Sequence, residues 1–187
     1  MSSSADQVLG ELIAAVLPPK TPIGVSAHTK SPNISALPPD LMKFIQAYGS
    51  GYFDIDGSIF LEVLNPYSDD YWAKQKRDLD TIRQLKLSEG DEYIPYEIYP
   101  DQPGLLLWGY GEDRKHFFWL TDGDPSVWPV IAMHDLEIFT RFDLSMLSFT
   151  KQLLCGEIDC SSIGGVDTAN NHVDPQTCKF VQKETPA

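Results

Sequence analysis

Carboxylates and histidines are the side chains of this sequence with the widest chemical reach, and their spacing decides what they could do. Asp and Glu number 27 against 14 Lys and Arg. Two carboxylates facing one bond would do general acid and base work, but adjacency is expected by chance in so acidic a chain, and only geometry can select a pair. The four histidines, His28, His116, His134 and His172, fall in no HExxH or other ligand spacing. His116 opens an aromatic run and His134 precedes Asp135, so satisfied or solvent-facing imidazoles are expected. Asp54-Ile55-Asp56-Gly57 and Asp122-Gly123-Asp124 resemble pieces of a calcium loop. Such a loop needs ligands well beyond its glycine. Ile59, Phe60 and Leu61 cannot supply them, so hairpin turns account better for both segments. Gly109-Tyr110-Gly111 is a dinucleotide fingerprint without its third glycine, and the sequence has neither a nucleophile elbow nor a P-loop. No catalytic, cofactor-binding or metal-binding residue is therefore expected, and no cofactor.

Cys155, Cys160 and Cys178 are odd in number and lack the paired spacing of a zinc site. Reduced thiols and a cytoplasmic location are expected. A Cys160–Cys178 or Cys155–Cys160 bridge stays open. The opening Met1-Ser2-Ser3-Ser4-Ala5-Asp6 lacks the basic region of a signal peptide, and the apolar run 12–17 is too short to cross a bilayer.

The formal net charge is −13. Such a surface repels phosphate backbones and anionic lipid, which excludes nucleic acid and membranes as expected partners. It favours a basic protein, although acidity also serves solubility alone. The carboxylates best placed to meet such a partner lie in turns: Asp69, Asp70, Glu112, Asp113, Asp122 and Asp124. For each of them plain solvation is the competing explanation.

The elements that would carry these turns are legible from apolar period. Leu41, Phe44, Ile45 and Tyr48 follow helical spacing behind Pro38, Pro39 and Asp40, with Gly49 to stop the helix. Further helices are expected over 6–17, from about Ser68 to Ser88 with acids in the first turn, and over 145–154. Strands are expected over 59–64, 96–99, 105–109, 116–120, 127–133 and 137–142. The first is apolar at nearly every position and should be buried, and Pro129 marks an edge or bulge. Residues 52–57 read as a turn-bearing segment, and 178–181 as one short strand tucked back. Closely spaced short strands imply hairpins and an antiparallel sheet of about five to six strands.

Taken together, the residues between Leu37 and Ile158 resemble the SUKH superfamily. The likeness rests on Leu37-Pro38-Pro39-Asp40 with Phe44 and Tyr48-Gly49, then 105–109, Phe117-Phe118-Trp119-Leu120, Trp128-Pro129-Val130, 148–154 and the exit Gly156-Glu157-Ile158. The resemblance implies an α+β fold with helices packed mainly on one side of the sheet. It divides the chain into 1–36 as a helix and connection of the same domain, 37–158 as the core, and 159–187 as an irregular tail. It also implies a non-enzymatic protein-binding domain, a bacterial immunity protein that occludes a basic toxin domain such as a nuclease, acting as a monomer or weak dimer. A regulator or scaffold binding a host protein is the alternative, and a hydrolase with an unrecognised carboxylate site a weaker one. No binding residue carries over by motif.

Overall fold

Which side chains are buried along each strand and helix sets the layers of this molecule. The computed structural model describes residues 4–25, 37–112, 114–158, 163 and 176–183. Among them are four helices, α1 (Ser4–Ala15), α2 (Pro39–Tyr48), α3 (Tyr71–Glu89) and α4 (Met146–Leu154). Eight strands accompany them: β1 (Gly51–Ile55), β2 (Ser58–Val63), β3 (Glu97–Ile98), β4 (Gly104–Gly111), β5 (His116–Leu120), β6 (Val130–His134), β7 (Ile138–Phe142) and β8 (Cys178–Gln182). The strands make one sheet in the order β7-β6-β5-β4-β2-β1-β8, with β3 beside β4. All pairs are antiparallel except the short β3–β4 pair. The fold is α+β, with a larger sheet than the sequence suggests.

One sheet face carries three helices. The spacing of Leu41, Phe44, Ile45 and Tyr48 buries all four. Phe44 and Tyr48 stack at 4.9 Å and meet Phe53 of β1 and Phe180 of β8. The Tyr48 hydroxyl donates to the Val16 carbonyl at 2.6 Å, which fixes the chain just beyond α1. Phe149 of α4 packs edge-on against Trp108 at 6.0 Å and Phe142 at 5.0 Å. Ser145 caps α4 through the Ser148 amide. Asp40, expected only to face a helix dipole, is buried. Its Oδ1 accepts from the Leu41 amide at 2.9 Å and its Oδ2 from the Leu147 amide at 3.1 Å, so one carboxylate ties the first turns of α2 and α4 together.

Among the described residues, the opposite face carries α3 alone. Gln75 donates to the Leu107 carbonyl of β4, Asp78 accepts from the Tyr110 hydroxyl, and Arg83 donates to the Tyr99 carbonyl at 2.7 Å. Lys86 bonds the carbonyls of Ile94 and Tyr96. Helix α3 lies over β4 and β3. Among the described residues no helix lies over this face of β1, β2 and β8 as α3 does over β4.

Several expectations change for physical reasons. Residues 51–55 form β1, because Phe53 inserts under α2 and the turn proper is only Asp56-Gly57, both at positive φ. Strand β2 is buried along one side: Leu61 and Val63 face the helices, whereas Ser58 and Ile59 are exposed. Val127 belongs to a 3₁₀ turn over Pro125–Val127, and β6 starts just after Pro129. Helix α3 starts at Tyr71, so Asp69 and Asp70 precede its first turn. Residues 178–182 form the edge strand β8.

Candidate functional site

The uncovered half of the sheet and the start of α3 enclose a cleft of ≈ 230 Å³. Its floor and end wall are Ser50, Gly51, Glu62, Leu64 and Asn65, and α3 adds Tyr71 and Lys74. Strand alternation explains the floor. Phe53, Leu61, Val63 and Phe180 turn toward α2, so Tyr52, Glu62, Val181 and Lys183 turn the other way. Buried Asn65 organises the end wall. Its amide donates to the Gly24 carbonyl at 2.8 Å and the Ser50 hydroxyl at 2.7 Å, and its oxygen accepts from the Tyr67 amide at 2.9 Å.

The charges in the cleft are mostly paired within it. Lys183 donates to Glu62 at 2.7 Å, and Lys74 pairs with Asp70 at 2.7 Å. The Glu62 side chain is only 18% exposed, which makes it the most enclosed charge of the two pairs. Lys74 and the Ser68 hydroxyl hold the Asp70 carboxyl below its usual pKa. Asp69 is exposed at the lip and has no hydrogen bond or ion pair among the described residues.

Beside the cleft lies a second polar group. The Tyr110 hydroxyl and Arg77 both bond Asp78, and the His116 ring meets Tyr110 edge-on at 5.5 Å. Burial alone would raise the Asp78 carboxyl, but Arg77 and Tyr110 hold it low. Burial also lowers the His116 pKa, and its Nδ1 lies 3.1 Å from the Arg114 carbonyl oxygen. The imidazole is thus packed against aromatic rings, as expected for a satisfied side chain.

The structure separates the six acids singled out from the sequence. Asp69 and Asp70 share the cleft. Glu112 lies in the β4–β5 turn, and Asp113 lies outside the described residues. Asp122 and Asp124 lie beyond the other end of β5, roughly 17 Å away for a strand of that length. Asp124 caps the 3₁₀ turn through the Ser126 amide, which depresses its pKa. All five described acids are exposed, at three separate places. A second cavity of ≈ 250 Å³ lies near Ser126, Arg141 and Asp143 and contains none of the six. Sequence reasoning missed Glu62, Lys74 and Lys183. The available signal was Glu62 itself, the one charge in the otherwise apolar run 59–64.

Among the described residues no group of three potential ligands could hold a metal ion. No helix among them is long and apolar enough to cross a membrane. Cys155 and Cys178 are free thiols, and Cys160 lies outside the described residues with His28 and His172. Burial, with Asp54 and Cys155 nearby, pushes the Cys178 thiol up to about 12, so it stays protonated and unreactive. No protein-family model matches the chain, and neither the curated proteins nor the solved structures contain a match.

Proposed function

We propose that this is a non-enzymatic protein-binding domain of the SUKH type, an immunity protein that holds and occludes a basic toxin domain in the cytoplasm. The observation that supports this reading is the acidic lip of the open cleft. Asp69 and Asp70 stand exposed beside a half of the sheet that no helix covers among the described residues. An acidic lip raises the rate of encounter with a basic partner, and the cleft beside it offers area on which it can settle. Glu112 and the 122–124 turn extend the negative field away from the cleft without forming part of one contact face. They steer more than they touch.

Capture from the native cell tests this reading. The purified chain as bait should retain one dominant basic protein that elutes as salt is raised, and that protein should have toxic activity which the bait suppresses. A captured partner that is acidic, or has no such activity, would transfer the fold to a regulatory or scaffold role. With a toxin in hand, replacing Asp69 and Asp70 by Lys should slow association about tenfold or more at low salt and change dissociation little. Unchanged association kinetics would remove the lip from the mechanism.

A further inference from the structure

We propose that the cleft beneath α3 is a receptor for a single Lys or Arg side chain of the partner protein, and that Lys183 occupies it internally until the partner arrives. This deepens the binding reading above and rests on it for the identity of the partner, though not for the chemistry of the site.

Three observations converge. The first is charge. Glu62, Asp69 and Asp70 line the cleft against Lys74 and Lys183. Each ammonium is already bonded to one carboxylate, which leaves Asp69 in surplus among the described residues. The start of α3 would itself draw an anion, but Asp70 stands there already and supplies that charge. A cation is therefore the complementary occupant. The second is enclosure. Glu62 lies in the cleft beside Leu64 and Tyr71, and Asp69 and Asp70 line it too. A carboxylate at the base of a partly apolar cleft suits a long aliphatic stem that ends in a cationic head, since the stem covers the walls while the head reaches the charge. The third is the resident side chain. The Lys183 amide donates to the Ser50 carbonyl at 3.0 Å, which fixes its backbone at the edge of β1. Its side chain reaches to Glu62 yet remains about half exposed. The chain thus shows within its own fold that Glu62 accepts an ammonium, and holds that ammonium by an exposed pair which is weak and exchangeable.

Displacement balances charge. The incoming cation takes the Glu62 carboxylate, and Lys183 swings into water still protonated. Arginine should outcompete lysine, because its planar fork engages Glu62 by two bonds and is less strongly hydrated.

The test needs no identified partner. The complete isotope-labelled chain is titrated with acetyl-Gly-Arg-Gly-amide and with acetyl-Gly-Ala-Gly-amide, and amide shifts are followed by NMR. The Arg peptide should move Gly51, Glu62, Leu64 and Tyr71 together, and the Ala peptide should not. Replacing Lys183 by Ala should tighten Arg-peptide binding about two- to fivefold, the range set by an exposed ion pair. Glu62→Gln should abolish the localised shifts while the rest of the spectrum stays native. Shifts spread evenly over Glu112, Asp122 and Asp124 would show diffuse ion attraction and overturn the proposal, and so would a Lys183→Ala chain that binds no better than the parent. If a basic toxin is captured and Glu62→Gln leaves its affinity intact, the cleft proposal fails while the immunity reading stands. If the peptide results hold and no basic partner is captured, the immunity reading fails alone.

Discussion

Asp40 shows how much one side chain can hold. Replacing it by Ala leaves two helix-start amides, those of Leu41 and Leu147, without their acceptor. The expected loss is about 2–3 kcal/mol, read as a shift in urea midpoint at constant slope. The loss should depend on pH. Burial raises the Asp40 pKa above its ordinary 3.8, against the bonds from Leu147, Ser145 and Leu41 that lower it. An acid that binds its proton more tightly when folded contributes most below pH 3.8, and that excess fades as pH rises through the raised folded value. The difference between parent and variant should therefore be largest in acid and shrink toward neutrality. A difference that grew with pH would mean that the hydrogen bonds outweigh burial. Thr150 is the reverse case. It is fully buried in α4, and its hydroxyl has no partner among the described residues. Thr150→Val keeps the shape and removes the orphaned group, so stability should be unchanged or rise by about 1 kcal/mol. A clear loss in thermal unfolding would reveal a partner for that hydroxyl.

Packing between elements carries the next level. Phe149 joins α4 to β4, β5 and β7 through Trp108, Phe117 and Phe142. Phe149→Ala should cost about 3–5 kcal/mol, the usual range for an emptied aromatic site, and denaturant titration would read it directly. Gly51 is a subtler joint. A Cβ there would run into the Val181 carbonyl and the Phe180 ring, so Gly51→Ala should push β8 off β1. Amide exchange should quicken at residues 179–182 and stay slow in β5. At this level the sequence was a good guide wherever one local rule decided the outcome. The spacing of Leu41 to Tyr48, and the turns at Asp56-Gly57 and Gly123, are set by nearby residues alone. The run 59–64 shows where that legibility stops. Its apolar letters could not say that α3 would lie over β4 and leave β2 open on one side, because that depends on where a helix from another part of the chain comes to rest. The cleft was illegible for the same reason: Glu62, Lys74 and Lys183 meet only through long-range pairing.

Over the whole molecule, the 27 acids run along the entire chain and outnumber the 14 Lys and Arg. A net charge of −13 repels itself. Raising the ionic strength from about 0.01 to 0.15 M shortens the screening length from about 30 to 8 Å, and should raise the melting temperature by roughly 2–4 °C. A fall in calorimetry would mean that attractive pairs such as Lys74–Asp70 outweigh the repulsion. The order of the strands has another consequence. Strand β8 pairs with β1, Cys178 against Ile55 and Gln182 against Gly51, although most of the chain separates them. A ribosome releases β1 early and β8 late. For on the order of ten seconds at ordinary elongation rates, β1 has no outer neighbour. During that interval its row of unbonded peptide groups is open to any extended segment nearby, a second nascent chain included. A chaperone that shields this margin until translation reaches β8 would improve yield more than one that protects the aromatic interior.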